Sequence, residues 1–284
     1  MYARVLRPLV VSVGELRIIS PSVTVPEEIT LSNPLAPAAL AGKRILVTGS
    51  SRGIGADTAS YFAEAGADVV INYRNKAARA EKLAATLREH NVRVITVQAD
   101  LTDADSVAAM LETISTEFGG LDMLVLNASG GMETGVAEDY AMVLNRDSQV
   151  NLLTQALPLL SDGARVVFVT SHQAHFIGTV PTMPEYEVVA LSKRAGEDAL
   201  RELIPVLQKR SIGFVVVSGD MIEGTITATL LERANPGAID QRKESAGRLY
   251  NVSEFASEVA LAATELIPAD HTRYVGDVSF FTRR

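Results

Sequence analysis

The residues best suited to chemistry begin with three glycines in Gly49-Ser50-Ser51-Arg52-Gly53-Ile54-Gly55. Glycine lets a backbone turn sharply and approach a pyrophosphate where a Cβ would collide. A helix that starts at the end of such a turn meets the phosphate charge with its free N–H groups. Two cations accompany the glycines, Arg52 within the turn and Arg74 in Asn72-Tyr73-Arg74-Asn75. An acid near that second position would favour a free ribose 2′-hydroxyl, whereas the arginine pair suits a 2′-phosphate. The chemistry indicated is the binding of a dinucleotide, with NADP(H) favoured over NAD(H). Asp100, in Ala99-Asp100-Leu101, could accept from an adenine amino group or cap the helix that follows, or do both.

Such residues need a scaffold that brings strand ends together. Ile45 to Val47 is a short apolar run with the branching of a buried strand, and Ala59, Phe62, Ala63 and Gly66 follow at helical spacing. Further strand candidates are Asp68–Asn72, Arg93–Gln98, Met123–Asn127, Arg165–Thr170 and Gly213–Ser218, with a late one around Thr272–Phe281. Between them lie amphipathic stretches at Lys76–His90, Asp103–Phe118, Tyr140–Leu160 and Glu187–Arg210. Alternating strands and helices imply right-handed crossovers and a parallel sheet covered on both faces. The expected fold is α/β, a Rossmann-type doubly wound sheet forming one domain over residues 41–284. Ligands of such a sheet sit at the C-terminal strand ends, which is where the glycine turn, Arg74, Asp100 and Asn127-Ala128-Ser129-Gly130 fall.

Residues 1–40 read as an N-terminal extension. Strand-like runs at Leu9–Val13 and Leu16–Ile19 are interrupted by charges, and Pro21, Pro26, Pro34 and Pro37 punctuate a linker. It carries no continuous apolar core with a cleavage site behind it, so a secretory signal is not expected.

The bulk composition narrows the function. A formal net charge of −8 over 284 residues argues against a nucleic-acid or acidic-membrane binder. No run approaches the roughly 18 apolar residues of a spanning helix. With no cysteine there is neither disulfide nor thiolate chemistry, which suits a reducing cytoplasm. No metal site is expected, because no carboxylate lies at ligand spacing from the histidines.

The ordered motifs resemble those of the short-chain dehydrogenase/reductase family over residues 41–281. Thr48-Gly49-Ser50-Ser51-Arg52-Gly53-Ile54-Gly55 fits the family's glycine signature, Asp100 its adenine-contacting acid, and Asn127-Ala128-Ser129-Gly130 its Asn-Ala-Gly turn with Ser129 for glycine. The resemblance implies NADP(H) contacts from Gly49, Ser51, Arg52, Gly53, Ile54, Gly55, Arg74, Asp100, Leu101, Asn127, Ala128, Ser129, Lys193, Gly219 and Ile222. It further implies a catalytic serine at Ser171, a lysine at Lys193 and a relay-supporting asparagine at Asn151, in a homodimer or homotetramer.

The catalytic stretch departs from the family pattern. Val189 stands four residues before Lys193, where the family carries tyrosine, and the nearest tyrosine is Tyr186. Residues seven apart share a helical face, so Tyr186 can present its phenol near the same pocket. This Tyr-six-residues-Lys spacing resembles that of some enoyl-acyl-carrier-protein reductases. In this reading Tyr186 protonates the oxygen on which charge develops, and Lys193 lowers its pKa. His172 and His175 offer a substitute acid, and residues 222–248 a lid over an apolar substrate. The leading expectation is an NADPH-dependent reductase of a ketone or of a 3-oxoacyl or polyketide-like substrate. The alternatives are an enoyl-thioester reductase and a nucleotide-binding sensor that has lost catalysis.

Overall fold

The computed structural model describes residues 32–282. The runs Leu9–Val13 and Leu16–Ile19, and most of the segment read as an extension, lie outside the described residues. The last part of that segment packs on the body: Leu35 and Leu40 are buried, Asn33 Nδ2 donates to the Tyr61 carbonyl at 2.9 Å, and the Leu40 N–H donates to Ala65.

The first half of the chain alternates β1 (Arg44–Val47), α1 (Gly53–Glu64), β2 (Asp68–Tyr73), α2 (Ala77–Arg88), β3 (Val94–Gln98), α3 (Ala104–Phe118) and β4 (Leu121–Leu126). A short helix α4 (Tyr140–Met142) runs through a π-helical turn (Val143–Asp147) into α5 (Ser148–Ala156). Then come β5 (Leu160–Ser171), the short α6 (His172–His175), a 3-10 turn (Pro184–Tyr186), α7 (Glu187–Arg201), α8 (Ile204–Gln208) and β6 (Gly213–Gly219). The chain closes with α9 (Ile226–Ala234), α10 (Ala238–Ala246), α11 (Val252–Thr264), β7 (Thr272–Val275) and α12 (Ser279–Thr282).

The strands form one parallel sheet in the order β3-β2-β1-β4-β5-β6-β7. Both faces are covered. Ile45 and Val47 point into one apolar layer, with α1, α2 and α11, while Leu46 points into the other, with α3, α5 and α8. This period of two is why the strands read as continuous apolar runs. The strand order reverses between β1 and β4, and a crevice opens at that switch point.

Three elements differ from the sequence expectation. The stretch 187–210 is two helices, because Pro205 cannot continue the hydrogen-bond ladder of α7. The final strand stops at Val275, where Gly276 turns the chain with φ +90°, and Phe281 folds back to be buried. Helix α11 was not anticipated, although its start carries a capping box: Asn251 Oδ1 accepts from the Glu254 N–H, and the Glu254 carboxylate accepts from the Asn251 N–H, both at 2.9 Å.

Candidate active site

Thr48, fully buried at the end of β1, ties the glycine turn to its neighbour strand. Its Oγ1 accepts from the Asn127 and Ala128 N–H groups at 2.9 and 3.0 Å, and Asn127 Nδ2 donates to the Thr48 carbonyl at 2.9 Å. From the other side Asn72 Oδ1 accepts from the Gly49 N–H at 3.1 Å. Two of the glycines are required by the backbone. Gly53 adopts φ +58° with no protein atom within 4 Å of where a Cβ would stand, while a Cβ at Gly55 would lie 2.6 Å from Asn127 Nδ2. The start of α1 has no side-chain cap, which leaves its first N–H groups for a ligand.

The crevice is a cavity of about 680 Å³ that runs from the glycine turn to α9. Its wall includes Gly49, Ser51, Arg52, Gly53, Ile54 and Gly55 from the turn, Arg74, Asp100 and Leu101 from the ends of β2 and β3, and Asn127, Ala128 and Ser129 beyond β4. Ser171, Tyr186, Lys193 and Ile222 line the same space. Asp100 is not the cap of α3. Asp103 performs that task, accepting from Asp105 and Ser106, while Asp100 Oδ1 accepts from Thr102.

The polar end of the cavity is more basic than the sequence reading anticipated. Arg52 and Arg74 are joined by Lys76 and Arg79, and none of the four pairs with a carboxylate among the described residues. Burial, and then the proximity of Arg79, lower the pKa of Arg52. Arg74 donates to the Tyr140 phenol and its guanidinium lies 5.9 Å from that ring. Lys76 and Arg79 sit at the N-terminal end of α2, where the helix dipole disfavours cations. Basic residues in that position were the readable sign of an anionic ligand.

At the other end Ser171 leaves β5 and its Oγ lies 3.2 Å from the Tyr186 hydroxyl. The same oxygen accepts from the Ala174 N–H, capping α6. Tyr186 enters from the 3-10 turn before α7 and is buried. Burial raises its pKa, and the Ser171 hydrogen bond opposes the rise. Lys193, also buried, projects from α7 into the cavity, and burial lowers its pKa to about 8. Val189 lines the same cavity. The phenol therefore reaches Ser171 from a backbone position one turn before the one that the family uses.

Two expected residues are placed differently. Asn151 does not line the cavity; it lies on α5 with Oδ1 accepting from Gln155 Nε2 at 3.0 Å. Asn145, in the π-helical turn, also lies off the cavity wall, but it bonds residues on either side: its Nδ2 donates to Gly130 O at 2.8 Å and to Ser192 Oγ, the residue before Lys193, at 2.9 Å. The approach is so close that a Cβ at Gly196 would stand 2.1 Å from the Asn145 carbonyl oxygen. Gly219 likewise stays off the cavity wall. A Cβ there would meet the Phe255 ring at 2.3 Å, and it is Phe255 that lines the space.

The two histidines that the sequence offered as substitute acids are bonded away from the cavity. His172 is fully buried, with Nε2 3.1 Å from the Val275 carbonyl and Nδ1 2.8 Å from Ser218 Oγ. A carbonyl only accepts, so Nε2 carries the proton and Nδ1 accepts from the serine. Burial depresses its pKa to about 4. His175 Nδ1 lies 2.9 Å from the buried Glu197, which Arg201 also holds. Neither ring reaches the cavity. Among the described residues no cluster of ligating side chains could hold a metal ion.

A family model described as short chain dehydrogenase matches residues 43–235. The short chain dehydrogenase/reductase AacuN of Aspergillus aculeatus is 33% identical over 58% of this chain, which spans 64% of that protein, just under two thirds of its length. Versicolorin reductase 1 of Dothistroma septosporum is 30% identical, the alignment covering 70% of this chain and 76% of that one. Among solved structures, the angucycline C-6 ketoreductase LanV with bound NADP superposes with a TM-score of 0.66 at 28% identity, covering 80% of this chain and 90% of its own.

Proposed function

The chain belongs to the short chain dehydrogenase family, and on that premise we propose that it is an NADPH-dependent reductase of a ketone on an apolar, polyketide-like substrate. The observation that carries this reading is the convergence of Ser171, Tyr186 and Lys193 at the apolar end of a cavity whose other end is basic. The glycine turn, Arg52, Arg74 and Arg79 would hold the dinucleotide and its 2′-phosphate, and Asp100 and Leu101 would border the adenine. NADPH, when bound, supplies the hydride.

The protein's own part is to control the oxygen of the ketone. Ser171 Oγ and Tyr186 Oη, 3.2 Å apart, are set to donate to the same carbonyl oxygen, and Tyr186 gives up its proton as charge builds there. Burial alone makes Tyr186 a weaker acid, so the ammonium of Lys193 is needed to bring its pKa back towards neutrality. Asn145 fixes Ser192 and hence the start of the Lys193 turn. Met132, Val189, Met221 and Ile226 give the substrate end an apolar wall.

Versicolorin reductase and LanV support ketone reduction over enoyl reduction, and the Tyr186–Lys193 spacing is the feature that keeps the second chemistry in the test. NADPH consumption against polycyclic ketones, 3-oxoacyl thioesters and enoyl thioesters decides between them. Turnover of ketones alone is expected. Turnover of enoyl thioesters alone would replace this reading, and no turnover of any would favour the sensor. Assembly as a homodimer or homotetramer through α5 and α7 is part of the proposal, supported by the exposed apolar side chains Val188 and Leu191 on α7. The cysteine-free composition supports a cytoplasmic location.

A further inference from the structure

Asp220 follows directly on β6, at the turn that leads into the segment over the cavity. Its two carboxylate oxygens accept from Arg242 Nε and Nη2 of α10, each at 2.7 Å, with 8% and 10% of the two side chains exposed. Oδ1 also accepts from the Met221 N–H at 2.7 Å. The guanidinium is covered by two rings of the C-terminal helix, 4.6 Å from the centroid of Phe280 and 4.8 Å from that of Phe281. Phe281 is buried and meets the His172 ring edge-on at 5.3 Å, and His172 in turn is hydrogen-bonded to Ser218, two residues before Asp220. One arginine thus joins α10, the end of β6 and α12.

The joint lies behind the substrate wall. Ile239 and Ala246, on either side of Arg242 in α10, pack with Ala228 and Leu231 of α9 into the apolar cluster that contains Tyr186, Val189 and Met221. Glu232 of α9 accepts from the Gly237 and Ile239 N–H groups at 2.7 and 3.0 Å, so the two helices are coupled at their junction. A paired, ring-covered guanidinium is rigid where a lone surface arginine is not, and a partner left unpaired in that place is costly. From these contacts we infer that Arg242, clamped between Asp220 and the Phe280–Phe281 pair, is a positioning residue that seats α9 and α10 against Tyr186 and so sets substrate affinity from the C-terminal end of the chain. The affinity part rests on the ketoreductase reading; the seating of the helices does not.

Two measurements on the full-length chain test it. Hydrogen exchange by mass spectrometry is followed over residues 222–248 in wild type and Arg242→Met, and steady-state kinetics are recorded with a ketone that the wild type reduces. At least tenfold faster exchange confined to 222–248 is expected, with KM for the ketone raised about tenfold, kcat within threefold and NADPH affinity unchanged. If Arg242→Met fails to fold, Phe280→Ala, which removes a partly exposed ring, takes its place with a threefold change expected in both readouts. Wild-type exchange rates over 222–248 in the folded variant overturn the inference, as does a loss confined to kcat. If no ketone is reduced by the wild type, the ketoreductase reading fails and the exchange rates alone decide whether Arg242 seats the helices.

Discussion

Ser171 Oγ and Tyr186 Oη lie 3.2 Å apart although fifteen residues of chain separate them, and the phenol arrives from a 3-10 turn rather than from the body of α7. The pair can act on one oxygen atom only if both hydroxyls stay in place. Tyr186→Phe removes the proton and leaves the ring packed, so kcat for ketone reduction should fall by about 100-fold or more, with NADPH affinity measured by fluorescence unchanged. A rate within threefold of wild type would make Tyr186 a packing residue.

Lys193 gives a pH dependence of defined sign. Its ammonium, lowered to about 8 by burial, is the form that acidifies Tyr186, so kcat/KM should decline as the pH rises through about 8. Stability should move the other way. The unfolded lysine titrates near 10.5, so between about 8 and 10.5 the unfolded chain holds the extra proton, and stability rises with pH across that window. A kcat/KM profile flat to pH 10 would count against the role given to Lys193.

The four cations at the polar end outnumber what a ribose diol needs. Arg79→Ala, at the start of α2, should weaken NADPH binding about tenfold, the scale of one charge-assisted hydrogen bond, and leave NADH binding nearly as it was. Titration of both cofactors against the variant checks this. Equal losses for the two would place Arg79 away from the 2′-phosphate.

His172 should make the fold acid-sensitive. It is neutral in the native state down to about pH 4, whereas the unfolded imidazole takes a proton near 6.5. The unfolded chain therefore binds more protons between those values, and stability present above pH 6.5 is lost as pH falls towards 4, by on the order of 3 kcal/mol. Denaturant melts of wild type and His172→Gln at pH 7 and pH 5 measure the slope, which should flatten in the variant. An unchanged slope would assign the acid sensitivity elsewhere.

The fold was legible because its signals are local and repeated: apolar runs of strand length, amphipathic stretches between them and one glycine turn. Ser171 and Lys193 could be picked out because their surroundings resemble the family's catalytic stretch, and Tyr186 because seven residues along a helix return to the face of Lys193. Asn145 could not be told from Asn151, since both lie in one amphipathic stretch, and only the π-helical turn and the contact with Gly196 decide which of them bonds Ser192 of α7. The placement of His172 was illegible for a different reason. Its partners, Ser218 and Val275, come from two later strands, and no spacing within its own loop points to them.

The π-helical turn at Val143–Asp147 holds one residue more than an α-helical turn would. Deleting a single residue from it would let the ladder close as an ordinary helix and swing everything before it by about 100° relative to α5. The Asn145 carbonyl would leave the hollow at Gly196, and the amide would lose Gly130 and Ser192 together. Homologous chains that differ in length should therefore place their gaps in the loop before Tyr140 or after Ser171, and keep the residue count between Tyr140 and Ala156 constant.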